Sequence, residues 1–155
     1  MSNSSPAECA RQILEAVPLV MHAIRQEMRS RRSSDLSVPL FRILVFLNRN
    51  TGASLSDIAE RMGLTLPSVS KMVDGLVSRQ LVTRRPDRID RRRVTLALTT
   101  AGRTVMEAAS AFTQTRLAER LAALSEPERS SVHQAMTALG AIFGPRKDSK
   151  TPEGK

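Results

Sequence analysis

Residues 54–80 contain two short helical patterns separated by one glycine, and this segment constrains the fold more than any other. Ser54 or Ser56 can cap the first helix, and Gly63 suits the left-handed position just past its end. Thr65 can cap the second helix. Two short helices joined by a tight turn predict a helix-turn-helix unit.

A β-hairpin with a charged tip is expected directly after these helices. The sequences LVTRR and RVTLALT are short and β-prone, as hairpin strands are. Between them, residues 84–93 (RRPDRIDRRR) carry six arginines and two aspartates, a net +4. A helix-turn-helix followed by such a hairpin describes a winged helix-turn-helix.

Helical periodicity continues on both sides of this unit. An apolar stripe predicts a helix from about residue 8 to 30, in which Pro18 produces a kink or marks a helix start. A second helix is expected from Val38 to Asn48. A long helix should begin at Thr100, and Ser125 with Glu128 forms a capping box before a last one.

The expected fold class is therefore mainly α with a small β-hairpin wing (α+β). The winged helix-turn-helix occupies residues 37–98 and is the expected DNA-binding domain. Residues 8–36 and 99–143 form a helical dimerisation region, because their apolar stripes lack partner surface within one chain. Residues 144–155 are expected to be a disordered tail.

The second short helix has a face that suits the major groove of DNA. At 100° per residue, Val69, Val73 and Leu76 lie at the centre of its buried side. The opposite side is small and polar with one cation, as a helix entering the major groove requires. Its candidate DNA contacts are Thr65, Pro67, Ser68, Ser70 and Lys71. An ordinary amphipathic helix shows the same periodicity, so this helix alone leaves the function open.

The hairpin favours DNA more strongly. Arginines at its tip can reach a narrow minor groove, where the negative potential is deepest. The candidate wing contacts are Arg84, Arg88, Arg91 and Arg92. Asp87 and Asp90 are expected to orient arginines, since a nearby carboxylate can fix a guanidinium fork. The alternative is a solvated basic loop.

Composition limits the class of partner. The chain has 155 residues and a formal net charge of +9, which implies a polyanionic partner. Aromatic residues make up only 3%, which argues against single-strand or RNA binding. Neither a secretory signal nor an apolar run long enough for a bilayer is visible, so we expect a soluble, cytoplasmic protein with no membrane partner.

Catalytic and metal sites find no support in the sequence. It contains no phosphate-binding loop, nucleophile elbow or HExxH motif, so we expect no enzyme and no cofactor. His22 and His133 stand alone, without a second ligand at metal-binding spacing.

The segment LSDIAERMGLTLPSVSKMVDGLVSRQLVTRRPDRIDRRRVTLALTTAG, residues 55–102, resembles the MarR family of bacterial transcriptional regulators. The "DRR" followed by a strand and "LTTAG" is its most specific element. The resemblance implies a homodimer that binds a near-palindromic operator in double-stranded DNA. Such a regulator is usually a repressor relieved by a small ligand or by oxidation. By position, Arg92 resembles the wing-tip arginine that enters the minor groove, and Asp90 the residue that steadies it.

Two further consequences follow from the resemblance. The family usually has glycine where this chain has Gln80, in a left-handed turn that costs a non-glycine residue about 1 kcal/mol. An N-terminal cysteine is the redox sensor in the hydroperoxide-sensing branch of the family, so Cys9 is a candidate, but that branch supports its thiolate with tyrosines. This chain has none, so an inert thiol is expected.

Two hypotheses remain for the function. The first is a homodimeric, sequence-specific regulator controlled by a small lipophilic or phenolic effector, whose binding residues the sequence does not identify. The second is a helical protein-interaction module whose winged domain does not recognise specific DNA and whose basic hairpin docks on an acidic protein.

Overall fold

The computed structural model describes residues 5–30 and 36–144. Its elements, in chain order, are α1 (Pro6–Ser30), α2 (Val38–Arg49), α3 (Leu55–Met62), α4 (Leu66–Ser78), β1 (Val82–Pro86), β2 (Val94–Leu98), α5 (Thr100–Leu121) and α6 (Glu126–Phe143). The expected mainly α fold with a small β-hairpin is confirmed. The chain divides into two compact units, and their boundary follows Leu117 inside α5.

The first two helices are close to the sequence expectation. α1 is helical through Pro18, so the alternative that this proline marks a helix start is wrong. α2 begins at Val38 with a proline in its first turn, where the missing N–H costs no intrahelical hydrogen bond. None of the described helices is long and apolar enough to cross a membrane.

The core of the first unit lies between α2, α3, α4, the hairpin and the start of α5. The side chains of Val69, Val73 and Leu76 on α4 are fully buried, as the helical wheel predicts. They pack in one cluster with apolar residues of the other elements, including Ile43, Leu44, Leu47, Ile58, Leu96 and Met106. This burial fixes which side of α4 points outward.

Local capping explains where α3 begins and ends. Ser54 and Asp57 form a reciprocal capping box: the Asp57 N–H donates to Ser54 Oγ at 3.2 Å, and the Ser54 N–H donates to Asp57 Oδ2 at 2.7 Å. Gly63 ends the helix in the left-handed region, at φ 64°. These contacts confirm the expected tight turn between α3 and α4.

The hairpin is antiparallel, with register from Val82 opposite Leu98 to Pro86 opposite Val94. A short bridge between Ala53 and Leu96 extends it, and the Leu96 N–H donates to the Ala53 carbonyl oxygen at 2.8 Å. The sequence did not predict this bridge, which attaches β2 to the segment just before α3.

A compact junction joins the first wing strand to α5. Gln80 adopts the left-handed conformation, at φ 58°, in the turn where the resemblance anticipates glycine. The Thr99 hydroxyl donates to the Gln80 carbonyl oxygen at 2.8 Å and accepts from the Gly102 N–H at 2.9 Å. A Cβ at Gly102 would overlap the Leu81 carbonyl oxygen. The "LTTAG" sequence therefore provides a helix cap and a close backbone approach.

The second unit contains the end of α5 and all of α6. Ser125 and Glu128 form the expected capping box, with the Ser125 N–H donating to Glu128 Oε2 at 2.7 Å. The Ser125 side chain and then its backbone N–H hold the pKa of Glu128 below its ordinary value. Of the expected disordered tail, residues 145–155 lie outside the described residues.

Candidate nucleic-acid interface

The amino-terminal end of α4 presents three of the candidate DNA contacts. Thr65 caps the helix: its Oγ1 accepts from the Ser68 N–H at 3.4 Å and its hydroxyl donates to Ser68 Oγ at 2.8 Å. Thr65, Pro67 and Ser68 are all exposed. The helix dipole makes such an end favourable for a phosphate, although Pro67 has no N–H and the Ser68 N–H is already bound by Thr65.

The next turn of α4 presents the remaining two candidate contacts. Lys71 is exposed and Ser70 is half-buried. Because Val69 and Val73 are fully buried on the other side, these two residues cannot turn inward without breaking the core. The five residues Thr65, Pro67, Ser68, Ser70 and Lys71 are called the polar face of α4 below.

The wing candidates are divided between a strand and a loop. Arg84 lies on β1, whereas Arg88, Arg91 and Arg92 lie in the loop of residues 87–93, which is called the wing tip below. All four side chains are exposed. Their roles as DNA contacts stay predictions.

The aspartates of the wing tip shape its backbone. Asp87 Oδ1 accepts from the Ile89 N–H at 2.7 Å and from the Asp90 N–H at 3.3 Å. Asp90 Oδ1 accepts from the Arg92 N–H at 3.0 Å. We expected carboxylates that hold guanidinium groups. In the described residues they instead accept hydrogen bonds from backbone N–H groups of the loop that carries the arginines.

Electrostatics agrees with this role. The pKa of Asp87 is held below its ordinary value, first by the Ile89 N–H, then by the Asp90 N–H, with a smaller contribution from the charge of Arg93. The charged carboxylate is thus the form that holds the turn. Hydrogen bonds to the two aspartates therefore hold the backbone of the tip, while its arginine side chains are exposed.

One ion pair that the sequence did not reveal joins the wing to α4. The Arg84 guanidinium binds the carboxylate of Asp74, which lies on α4 one turn beyond Lys71. Arg84 is therefore already paired within the chain. Opposite charges ten positions apart form no recognisable motif, so only the fold brings them together.

A second pair lies away from the candidate interface. Glu27 on α1 is 4% exposed, and its Oε2 accepts from Arg116 Nε on α5 at 3.1 Å.

Two clefts lie near these helices: one of about 350 Å³ lined by α2 and α5 residues such as Val45 and Met106, and one of about 260 Å³ at the α1–α2 connection. The sequence signalled neither cleft.

The chain is similar to known transcriptional regulators. The family model described as the MarR family matches residues 36–94. The uncharacterized HTH-type transcriptional regulator YfiV of Bacillus subtilis is 30% identical over 105 residues, which are 68% of this chain and 66% of that protein. The uncharacterized HTH-type transcriptional regulator Mb0904 of Mycobacterium bovis is 29% identical over 123 residues, 79% of this chain and 86% of that protein.

A solved structure extends the likeness to most of the chain. The crystal structure of RV1404 from Mycobacterium tuberculosis matches with a TM-score of 0.79 at 25% identity. The match covers 95% of this chain and 99% of that one, so the shared fold includes the helices on both sides of the hairpin.

Proposed function

The chain belongs to the MarR family of DNA-binding transcriptional regulators, and we propose that it acts as a homodimer on a near-palindromic operator in double-stranded DNA. Members of this family regulate transcription and are not enzymes. In this proposal the polar face of α4 enters the major groove and the wing tip enters the adjacent minor groove.

The observation that carries the proposal is the ion pair between Arg84 and Asp74. It joins the wing to the helix beside Lys71, so the polar face of α4 and the hairpin form one surface. That surface combines hydroxyl groups, a lysine and the exposed arginines of the tip. Hydroxyls and lysine suit base edges and phosphates, and closely spaced arginines suit the negative potential of a narrow minor groove.

The homodimer is supported by apolar side chains on the terminal helices. On α1, Leu14 is 76% exposed and Leu19 72% exposed. On α6, Ile142 is 72% exposed and Phe143 71% exposed. Packing these helices against a two-fold copy would bury the side chains in an isologous interface. A monomer at micromolar concentration in sedimentation would contradict this part of the proposal.

We propose further that the protein is a repressor released by a small lipophilic or phenolic effector. Support comes from the family and from the cleft of about 350 Å³ between α2 and α5, which has the volume of a small-molecule site. A ligand there could alter the spacing of the two DNA-binding surfaces in a dimer. A panel of phenolic and lipophilic compounds that leaves operator affinity unchanged would refute effector control.

The decisive experiment measures binding to duplex DNA from upstream of the protein's own gene, at several salt concentrations and against random duplex. Arg92→Ala should weaken binding and flatten the slope of log affinity against log salt by about 1 for each wing, because one phosphate-neutralising charge is lost. Lys71→Ala should cost about 1–3 kcal/mol mainly on the specific duplex, because it removes a base contact.

The two substitutions have different failure outcomes. If Lys71→Ala weakens specific and random duplexes equally, Lys71 contacts phosphate only. If replacing both Arg91 and Arg92 leaves affinity and salt slope unchanged, the wing does not bind DNA. Absence of specific binding by the wild-type protein would favour the protein-interaction alternative.

A further inference from the structure

The wing tip holds one apolar side chain among its charges. Within residues 87–93, which read DRIDRRR, only Ile89 is apolar. It is 98% exposed, more than any other large hydrophobic residue that the structure describes. The folded chain therefore gains almost no burial from this side chain.

The position of Ile89 is fixed by the loop backbone. Its N–H donates to Asp87 Oδ1 at 2.7 Å, and the Arg93 N–H donates to the Asp90 carbonyl oxygen at 2.9 Å, which closes the turn on the other side. Loop tips normally carry residues that favour turns or solvent, such as glycine, asparagine and serine. Here the β-branched apolar residue Ile89 is exposed on a turn that hydrogen bonds hold.

The neighbours of Ile89 determine what it would meet. Arg88 precedes it, and Arg91 and Arg92 follow within three positions; all are exposed. Cations placed this closely draw the tip towards phosphates, and a minor groove has deoxyribose walls that an apolar side chain can contact. Apolar residues inserted into a minor groove partly unstack a base step and bend the duplex.

We propose that Ile89 enters the minor groove together with the wing arginines, packs against sugars and base edges, and bends the DNA beneath the wing. This inference rests on the proposed function, since it requires that the wing bind DNA. The arginines supply the salt-dependent attraction, and Ile89 supplies an apolar contact that does not depend on salt.

The test compares four full-length proteins on the same end-labelled duplex from upstream of the gene. They are the wild type, Ile89→Thr, Val94→Thr and Arg92→Ala. Val94 is the matched control, because it is a half-exposed β-branched residue of the same hairpin that lies on β2, opposite Pro86, outside the wing tip. Three quantities are measured: affinity, its salt slope, and the DNA bend from energy transfer between the two ends.

Ile89→Thr should bind about tenfold more weakly, which corresponds to about 1.4 kcal/mol. Its salt slope should equal that of the wild type, because no charge is lost, and its bend should be smaller. Val94→Thr should match the wild type in all three measurements. Arg92→Ala should bind more weakly and should also flatten the slope of log affinity against log salt.

Other results overturn the inference in distinguishable ways. If Ile89→Thr binds and bends DNA as the wild type does while Arg92→Ala is weakened, Ile89 stays in solvent and the proposed function stands. If Ile89→Thr also flattens the salt slope, its loss of affinity comes from displaced arginines. If Arg92→Ala is unimpaired as well, the proposed role of the wing fails along with the inference.

Discussion

Gln80 occupies a backbone conformation that favours glycine, and Gln80→Gly should stabilise the protein. Its φ is 58°, within the left-handed region. A residue with a Cβ there loses about 1–2 kcal/mol relative to the right-handed conformation. Glycine avoids that strain but costs about 0.5–1 kcal/mol through the greater freedom of the unfolded chain. The net gain in the free energy of unfolding should be about 0.5–1 kcal/mol.

The surroundings of Gln80 keep this estimate simple. Its side chain is exposed, so removing it uncovers little buried surface. The contacts that hold the turn belong to the backbone: the Gln80 N–H donates to the Val77 carbonyl oxygen at 2.9 Å, and the Gln80 carbonyl oxygen accepts from Thr99. Both remain in the glycine variant.

Urea unfolding at one fixed protein concentration measures the effect, because the stability of the proposed dimer would depend on concentration. Gly63→Ala is the reciprocal control: at φ 64°, a Cβ would meet no atom within 4 Å, so its cost comes from backbone strain alone. It should destabilise by about 0.5–1 kcal/mol. A Gln80→Gly variant no more stable than the wild type, alongside a destabilised Gly63→Ala, would refute the reasoning.

The structure also determines the direction of three further effects: two glycine substitutions on stability and a fall in pH on the wing tip. Gly102→Ala should destabilise by about 1–3 kcal/mol in urea unfolding, because its Cβ would overlap the backbone carbonyl of Leu81; wild-type stability would contradict this. Gly75→Ala, in α4 with open space around the added Cβ, should stabilise by about 0.5–1 kcal/mol in the same assay; a loss of stability would show an unseen contact. The lowered pKa of Asp87 means that its support of the wing tip is present above the ordinary aspartate pKa and is lost as pH falls through the lowered value. An NMR titration of the Ile89 amide should therefore have its midpoint below the ordinary aspartate pKa, and a midpoint at or above it would disprove the assignment.

Features that depend on neighbours in the sequence were predictable. Ser54, Gly63 and Thr65 take the capping positions expected of them, because a helix end needs particular donors, acceptors and φ values within a few residues. The buried side of α4 followed from periodicity alone. The strained turn at Gln80 was anticipated from the family resemblance.

Features that depend on distant residues were not predictable. Arg84 was expected to be a DNA contact, and its pairing with Asp74 appears only once the hairpin packs beside α4. The pair of Glu27 and Arg116 is separated by 89 positions, and no local pattern marks it. The wing aspartates were expected to hold guanidinium groups and instead accept from backbone N–H groups, because a carboxylate can bind either and spacing does not distinguish the two.

Under the proposed function, the junction around Thr99 limits the motions through which an effector would alter affinity for DNA. One hydroxyl contacts the carbonyl oxygens of Gln80 and Leu81 and the first turn of α5, and Gly102 lies directly against the Leu81 backbone. Because these contacts connect the start of α5 to the base of the hairpin, we expect the two to move together. A signal that displaces this part of α5 would change the position of the whole wing and leave its internal shape intact. In the proposed dimer, regulation would thus act on the distance between the two wings.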